Sequence, residues 1–430
     1  MSSNRYKNSE KLLRRALQSI PLGTQTFSKS YTQYPYGVSP YFAEKAYGSH
    51  LWDVDGNEYI DFINSLAAIT LGYNDEDVNQ AVIDQLSKGT IFSLSHSLEI
   101  QVAEKIIEMV PCAEMVRFGK NGSDVTAGAV RLARAYTGRD HIAVCGYHGW
   151  QDWYIGVTSR NRGVPESTKK LTHSFSYNDI SALETLFNKY PDQIAAVILE
   201  PVQIHEPLPG YLEEVKNITH KNGALLIFDE IVTGFRLSNG GAQEIYDVIP
   251  DLATFGKGLA NGYPLSAITG KKEYMCLFEE VFFSFTFGGD TISLAAAMAT
   301  LNKIQNEPII ETMRSIGNKL FKNLEHLIKE YEFDTIFSVI GVPVKSFFLI
   351  NDTERYNLWD LKTFFLQHMF SKGILILSTH NISYAHNDKD ISILLDAYTS
   401  FFQKLKDYDC NRKLRKLLKC DSLKPLFEIR

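Results

Sequence analysis

The sequence predicts an α/β protein whose largest domain is built on a mostly parallel β-sheet, with helices between its strands. Two observations carry this prediction. The segments QIAAVILEPV and GALLIFDEIV are near-continuous apolar runs, as strands that are buried on both faces require. Stretches with helical spacing lie between these runs, and LSAITG is a further apolar strand that we expect in the same parallel sheet.

The other elements follow in chain order. The polar N-terminal stretch MSSNRYKNSEKLLRRALQSI suits an amphipathic helix, and LWDVDGNEYIDFI predicts a hairpin of two aromatic and β-branched runs around a D-G-N turn. Helical spacing runs from Asp75 to Leu86 and from Ser97 to Met109. MVRFGKNGSDVTAGAVRLARAYTG predicts a strand, a polar loop and a helix, and HIAVCGYHGW predicts a short strand that ends in a loop.

The pattern changes at about Glu307, where a long amphipathic helix, short strands and a terminal helix predict a smaller α+β domain. The expected organisation is an N-terminal segment at 1–60 that packs with the small domain, a large domain at 61–306 and the small domain at 307–430. The basic tail NRKLRKLLKCDSLKPLFEIR is interpreted as a solvated or packed terminal helix.

Composition excludes several classes of protein. The net charge of −6 gives no electrostatic reason to expect nucleic acid as a partner. No run of 18 apolar residues suggests a membrane span, and the N-terminus lacks the apolar core of a secretion signal. The five cysteines are odd in number, are scattered and form no C-x-x-C pair, which favours a reducing, cytoplasmic setting without disulfides or a metal site.

Chemically useful residues gather where we expect the carboxyl ends of strands, which form the ligand crevice of open α/β sheets. Asp229 and Glu230 end one apolar run, and Glu200 ends another. The KNGSD loop opens a helix, where a glycine followed by a hydroxyl residue can bind phosphate. Lys257 stands between two glycines. A phosphate site, a buried carboxylate and this lysine together suggest pyridoxal 5′-phosphate (PLP), with the lysine as the Schiff-base residue.

Each of these signals has an ordinary structural explanation. A lysine between glycines is usually a surface turn, an Asp-Glu pair at a strand end is more often a cap, and an N-G-S-D loop is more often a plain turn. Their order on successive strands is what favours the joint interpretation.

The sequence resembles the class III PLP-dependent aminotransferases, and in particular the branch that includes glutamate-1-semialdehyde 2,1-aminomutase. The resemblance covers nearly the whole chain, and its most specific segments are DEIVTGFR and GKGLANGYPLSA. It implies PLP fold type I and a homodimer whose active sites are completed by the neighbouring subunit.

The resemblance also implies roles for individual residues. Lys257 matches the Schiff-base lysine, and Asp229 matches the carboxylate that pairs with the pyridine nitrogen. Gly122 and Ser123 fall where the family holds the phosphate, although Asn121 replaces the serine that is common there.

Further residues match the family's contacts to the cofactor. Tyr147 matches the aromatic residue stacked on the ring, although a core tyrosine is also possible. Gln203 falls where the family often contacts the ring hydroxyl, and Ile231 is expected to pack against the ring face. Thr286 matches the threonine that reaches the phosphate of the partner subunit. Glu200 either supports the site or only caps its strand.

The chain departs from the family where substrate is bound. The late segment ILILSTHNISYAH has no arginine to hold a carboxylate, and Lys29 falls near the position where the mutases use arginine. Lys29 is therefore the first candidate to bind the carboxylate of the amino donor, and His380 and Asn381 are the second. The alternative remains that Lys29 is solvated and His380 caps a turn. The hydroxyl-rich stretch GTQTFSKSYTQYPYG suits a polyhydroxylated acceptor, although a surface segment would also be polar.

Three functions remain open. The first is an aminotransferase that moves an amino group from an amino-acid donor to an aldehyde or ketone, which could be sugar-derived for surface polysaccharide synthesis. The second is an aminomutase that transfers the group within one molecule. The third is a PLP-fold protein that binds partners without catalysis, against which the intact Lys257 and Asp229 argue.

Overall fold

The computed structural model describes residues 5–408 and 414–424. The chain forms two compact units. Within these residues, unit 1 comprises 5–66, 71–75, 311–408 and 414–424, and unit 2 comprises Ala67–Thr70 and Glu76–Ile310.

The strands of the described chain are short. In chain order they are β1 (Ala43–Tyr47), β2 (His50–Asp53), β3 (Glu58–Asp61), β4 (Met115–Gly119), β5 (His141–Cys145), β6 (Thr172–Ser174), β7 (Ile194–Leu199), β8 (Leu225–Asp229), β9 (Leu252–Phe255), β10 (Ser266–Gly270), β11 (Phe337–Val342), β12 (Lys345–Ile350), β13 (Ile374–Leu375) and β14 (Thr379–Asn381).

The α-helices range from one turn to six. In chain order they are α1 (Lys7–Ser19), α2 (Asn64–Ala67), α3 (Glu76–Leu86), α4 (Ser97–Met109), α5 (Gly122–Thr137), α6 (Asp152–Ile155), α7 (Glu166–Lys169), α8 (Ile180–Lys189), α9 (Tyr211–Lys221), α10 (Ala242–Ile245), α11 (Lys272–Met275), α12 (Thr291–Asn306), α13 (Ile309–Glu330), α14 (Leu358–Ser371) and α15 (Asp388–Asp407).

Unit 2 is built on a seven-stranded sheet with the order β4-β10-β9-β8-β7-β5-β6. The run from β9 to β6 is parallel, which confirms the predicted mostly parallel α/β fold. The expectation that LSAITG is a parallel strand is wrong, because β10 pairs antiparallel with both β4 and β9. The connection from β9 to β10 holds only a short 3₁₀ turn, and without a full crossover helix the chain returns in the opposite direction.

Helices bury both faces of this sheet. One face of the strands packs with Val125 and Leu132 of α5, and the other packs with Leu183 of α8 and Val215 of α9. Every residue of β7 and β8 is buried, which is why these strands read as apolar runs without alternation.

Unit 1 contains two smaller antiparallel arrangements. The predicted hairpin is confirmed as β2 and β3, which belong to the sheet β1-β2-β3-β13. A second sheet, β11-β12-β14, packs with α14 and α15 through a cluster of aromatic rings that includes Phe348, Phe365 and Tyr398. The predicted long helix after Glu307 is α13, and the predicted terminal helix is α15.

The element α2 is a left-handed turn. Asn64, Ser65, Leu66 and Ala67 have φ values of 46°, 51°, 62° and 66°, which cost energy for residues that carry a Cβ atom. On the unit 1 side, Asp61 stabilises the turn by accepting hydrogen bonds from the backbone N–H groups of residues 63 and 64, at 2.7 and 3.1 Å.

The basic tail is only partly described, since residues 409–413 and 425–430 lie outside the described ranges. Leu414 has helical geometry and Arg415–Leu417 form a 3₁₀ turn, but 418–424 have no regular secondary structure, so the expected terminal helix is wrong for 418–424. Arg415 Nε donates to Asp360 of α14 at 2.6 Å, and Leu423 N donates to Thr363 at 2.8 Å. The second bond takes up a backbone N–H group that a helix would use within itself.

Candidate active site

The two acidic residues at the end of β8, Asp229 and Glu230, make different contacts. Asp229 is 3% exposed, and its carboxylate is 2.7 Å from Nδ1 of His148. It also accepts a hydrogen bond from the backbone N–H of Ile231 at 3.2 Å. Successive side chains at a strand end point to opposite sides, so only Asp229 of the pair takes part in this contact.

Glu230 is a structural residue. Its carboxylate accepts hydrogen bonds from the backbone N–H groups of Ala242 and Gln243, at 2.9 and 3.0 Å, and from the hydroxyl of Thr233. Burial raises the pKa of Glu230, and these hydrogen bonds oppose the rise. Glu230 therefore closes the loop that follows β8 and fixes the start of α10.

Lys257 begins a 3₁₀ turn, Lys257–Ala260, directly after β9, the strand next to β8. Its φ of 43° is in the left-handed region. A Cβ atom on Gly258 would lie 2.6 Å from the hydroxyl oxygen of Thr70, so the position after the lysine has no room for a side chain. The glycine after Lys257 is thus required by a close approach of the backbone to another segment.

The amine of Lys257 lies in an environment that favours its neutral form. Burial lowers the pKa of Lys257, the carboxylates of Asp229 and Glu200 oppose this, and the charge of Arg236 adds to the lowering. A lysine that must act as a nucleophile or a base needs a free amine.

The start of α5 forms a tight cradle. Asn121 caps the helix by accepting from the N–H of Asp124 at 3.2 Å, and Asp124 accepts from the N–H of Asn121 at 3.0 Å. Trp150 N donates to Ser123 Oγ at 3.2 Å, and a Cβ atom on Gly149 would clash with that hydroxyl. A 16-residue helix that begins here offers N–H groups to an anion, as a phosphate requires. The replacement of serine by Asn121 thus provides the cap.

The loop after β5 carries Tyr147 and His148. The backbone N–H of Tyr147 donates to Glu200 Oε1 at 2.8 Å, while its ring is 55% exposed. Thr126 Oγ1 donates to the carbonyl of His148 at 2.8 Å, which ties the same loop to α5. The exposed ring of Tyr147 is held by its backbone and is free to stack on a flat ligand.

Glu200 was expected either to support the site or to cap its strand. Its bond to Tyr147 N shows that it holds the neighbouring loop rather than the end of its own strand β7.

The sequence predicts three further contacts to the cofactor, and each of these side chains lies in different surroundings. Gln203 Nε2 donates to Cys145 Sγ at 3.3 Å, so its amide is directed at the end of β5. Ile231 is half-buried, and its Cδ1 would lie 2.7 Å from a Cβ atom on Gly122, which puts it beside the cradle. Thr286 is exposed in the loop before α12.

Sequence reasoning missed His148, although the GYHGW loop was recognised. Its side chain is buried, one ring nitrogen meets Asp229, and Nε2 has no hydrogen-bond partner among the described residues. The sequence did contain a signal for His148. It directly follows Tyr147 in the loop after β5, and Asp229 ends β8, which is separated from β5 in the sheet only by β7. What the sequence could not supply was the direction of its ring.

The predicted substrate contacts all lie in unit 1. Lys29 is exposed at the end of the 3₁₀ turn Phe27–Lys29. Burial raises the pKa of Asp61; hydrogen bonds oppose the rise, and the charge of Lys29 does so too. Lys29 is thus close enough to a buried carboxylate to influence it.

His380 and Asn381 have contacts of their own inside unit 1. Nδ1 of His380 lies 2.9 Å from Ser346 Oγ, and Nε2 lies 2.8 Å from the hydroxyl of Tyr398. Burial lowers the pKa of His380 to about 3. Asn381 Nδ2 donates to the carbonyl of Ile63 at 2.9 Å, and Asn381 O accepts from Asn64. These contacts favour structural roles, because they occupy both ring nitrogens and the amide N–H₂.

The residues present fit PLP on two observations. The cradle at α5 has glycines where side chains would clash, and Lys257, whose pKa is lowered by burial, follows β9, the strand next to the one that ends in the buried carboxylate of Asp229. Within the ranges 5–408 and 414–424, no group of three or more histidine, cysteine or carboxylate side chains could hold a metal ion. No helix in the same ranges is long and apolar enough to cross a membrane.

Comparison with known proteins agrees with this geometry. The family model for class III aminotransferases matches residues 31–388. The 3-aminobutyryl-CoA aminotransferase of Cloacimonas acidaminovorans (strain Evry) is 35% identical over 405 residues, which cover 92% of this chain and 96% of the relative. The glutamate-1-semialdehyde 2,1-aminomutase of Francisella philomiragia is 35% identical over 426 residues, with 92% and 98% coverage. The PLP-bound structure of the FumI protein from Sphingopyxis sp. MTA144 has a TM-score of 0.88 at 27% identity and covers 96% of this chain and 100% of that one.

Proposed function

We propose that this chain, which belongs to the class III aminotransferases, transfers an amino group from an amino-acid donor to a separate aldehyde or ketone acceptor. As a member of that family it is a PLP-dependent enzyme of fold type I. The alternative within the family is transfer inside a single molecule, as the name of the Francisella relative states for that protein.

Bound PLP supplies a conjugated ring that accepts electrons from the substrate carbon. In our proposal Lys257 would hold the cofactor through its amine and would serve as the acid–base group that carries a proton to and from the substrate. The Asp229 carboxylate would favour the protonated form of the ring nitrogen, because an opposite charge at close range favours the charged form. His148 holds the Asp229 carboxylate in place through its 2.7 Å contact.

The remaining residues position the cofactor. Gly122 and Ser123 hold its phosphate at the start of α5, and Thr286 of a second copy of the chain completes that contact. Tyr147 and Ile231 would pack against the cofactor ring, and Gln203, whose amide now donates to Cys145 Sγ, would contact the ring hydroxyl.

One observation carries the choice of an intermolecular transfer. Lys29 falls near the position where the mutases use arginine, and no arginine occurs between residues 374 and 386. A lysine is a point charge and cannot form the two parallel hydrogen bonds of a guanidinium with a carboxylate. A single lysine contact therefore suits a donor carboxylate that binds and is then released. We propose Lys29 as that contact.

The acceptor is the least constrained part of the proposal. The exposed stretch that contains Thr26, Ser28 and Tyr36 favours a hydroxylated carbonyl compound such as a sugar-derived aldehyde or ketone. The name of the Cloacimonas relative states a coenzyme A thioester as the substrate of that protein. Both classes therefore belong in a substrate screen.

A half-reaction experiment tests the proposal. The PLP-loaded enzyme is mixed with single amino acids, and the absorbance of the bound cofactor is followed together with release of the corresponding keto acid. We expect at least one amino acid to convert the cofactor stoichiometrically, and an added carbonyl compound to reverse the change. Conversion of glutamate-1-semialdehyde to 5-aminolevulinate without any donor, with no amino acid able to convert the cofactor, would establish the mutase instead.

We further infer a homodimer. Large apolar side chains are exposed on α3, on α4 and between them in unit 2, and an exposed apolar patch of this kind is typical of an interface. They are Ile83, Leu86, Ile91, Phe92, Leu94 and Ile100. Sedimentation of the wild type and of Leu94→Asp tests this, since the variant should dissociate.

The free thiols Cys112, Cys145, Cys276 and Cys420 support a reducing, cytoplasmic setting.

A further inference from the structure

Arg236 is a fully buried cation close to the lysine turn. Its side chain is 1% exposed, and burial lowers its pKa to about 10, so it remains charged at neutral pH. A buried charge is costly, and an apolar side chain of similar volume often replaces one without loss of stability. A charge at this position therefore suggests a use beyond filling space.

The guanidinium holds the segment 67–70. Its Nη2 lies 3.2 Å from the carbonyl oxygen of Ala67, 2.9 Å from that of Ile69 and 3.4 Å from the hydroxyl of Thr70. Ala67 has a φ of 66°, so this segment begins in a strained conformation that needs such contacts.

The same segment lies directly against the turn of Lys257. Thr70 N donates to Asn261 Oδ1 at 2.9 Å, and the Thr70 hydroxyl is the atom that excludes a side chain at Gly258. Arg236 therefore contacts Thr70. Thr70 in turn lies against Gly258, inside the 3₁₀ turn that Lys257 begins, and bonds to Asn261, which directly follows that turn.

The charges around Lys257 are of both signs. Asp229 at the end of β8, which His148 contacts, and Glu200 after β7 favour the ammonium form, whereas burial and the charge of Arg236 favour the free amine. Arg236 is the cation that counters the two carboxylates, and it comes from the loop after β8.

We propose that Arg236 is a positioning residue for Lys257: its guanidinium fixes the 67–70 segment against the turn that Lys257 begins, and it places a fixed positive charge near the amine. The proposal rests on the proposed role of Lys257 as the cofactor lysine. Arg236 would affect the reactivity of the Lys257 amine and would not contact the substrate.

The test measures the amine itself. The cofactor-free protein is labelled with an amine-reactive reagent over a range of pH, and the rate at Lys257 is read by peptide mass spectrometry. Arg236→Gln removes the charge and shortens the side chain, so the Nη2 contacts with the 67–70 segment are lost with it. We expect labelling of Lys257 at pH 8 to slow by at least about threefold, since loss of a nearby like charge stabilises the ammonium form. An unchanged pH profile in the folded variant would overturn the proposal.

Two comparison variants separate charge from structure. Arg139→Met removes a guanidinium that also donates to backbone carbonyls, those of Ile194 and Asn222, and it should leave the Lys257 profile unchanged. Arg236→Lys keeps the charge and loses the planar donor group, so we expect the wild-type profile with a lower kcat. If Arg236→Gln does not fold, an Arg236→Lys enzyme with wild-type kcat would still overturn the positioning role.

A separate measurement distinguishes failure of the proposed function. Borohydride reduction of the PLP-loaded wild type should attach the cofactor to Lys257. Attachment to a different lysine would refute the proposed role of Lys257, and the inference about Arg236 would fall with it. Attachment to Lys257 with no shift in the Arg236→Gln profile would refute the inference alone.

Discussion

Two buried histidines show how differently the two units use the same residue type. In unit 2, His148 contacts a buried carboxylate through Nδ1, and its Nε2 has no partner among the described residues. In unit 1, both ring nitrogens of His380 meet neutral hydroxyl groups. A polar group that is fully satisfied by neutral partners stabilises a core, whereas one that holds a buried charge suggests chemistry. The partners, and not the burial, separate the site from the core.

The largest expected effect is at the lysine beside this carboxylate. Lys257→Ala should lower kcat by at least about 10²–10⁴-fold, because both the covalent attachment and the proton transfer are lost. PLP should still bind through its phosphate and ring contacts. Steady-state kinetics with equilibrium dialysis of PLP checks this, and near-normal turnover would remove Lys257 from the mechanism.

The next effect is at the carboxylate itself. Asp229→Asn keeps the shape of the side chain and removes its charge, so the ring nitrogen should lose its proton more readily. A nearby charge shifts a pKa by about one to three units, so single-turnover rates should fall by about 10- to 1000-fold. Glu230→Gln is the matched control, because it neutralises the adjacent carboxylate that the structure assigns to α10. A Glu230→Gln enzyme that slows as much would contradict the division of roles.

His148 and His380 can be compared directly. His148→Phe removes a hydrogen bond to a charged group, which is worth about 1.5–3 kcal/mol, so activity should fall by about 10- to 100-fold. His380→Phe should leave kcat/KM near that of the wild type and lower the free energy of unfolding instead. Kinetics and denaturant unfolding of both variants provide the check. Equal kinetic losses would show that burial alone determines the outcome.

Lys29 is expected to have a smaller effect. Lys29→Ala should raise the KM for the amino donor by about tenfold, as loss of a charge-assisted contact predicts, while PLP binding stays normal. Lys322→Ala removes another exposed lysine of unit 1 and is the matched control. A change of less than about threefold, as for a surface ion pair, would favour the solvated alternative for Lys29.

His380 is expected to have the smallest effect on activity, because its protonation changes the stability of the fold. Burial lowers its pKa to about 3, below the value of about 6.5 for an unfolded chain. Its neutral form therefore stabilises the fold above pH 6.5, and this stability is lost as the pH falls toward 3. The free energy of unfolding should drop by about 1.4 kcal/mol per pH unit in that window. His380→Phe should flatten this part of the curve, and a curve that keeps its slope would assign the effect to other groups.

The histidines also show what limits prediction from sequence. Lys257 and Asp229 can be proposed as site residues from the sequence because each stands in a specific local pattern: Asp229 ends an apolar run, and Lys257 is framed by glycines. Asn381 stays a predicted substrate contact. Its amide donates to the carbonyl of Ile63, more than three hundred residues away in the chain, and its position in the sequence did not indicate this contact. A distant partner leaves no local signal.

The sequence by itself determined the parallel sheet, the hairpin, the main helices and the order of the lysine, carboxylate and phosphate residues along the chain. Periodicity and turn chemistry are local properties, so they can be read without contacts. Only the tertiary structure decided the antiparallel direction of β10, the division of labour between Asp229 and Glu230, and the use of Arg236. Each of these depends on which groups meet across strands and loops, and on how burial changes the energy of a charge at the meeting point.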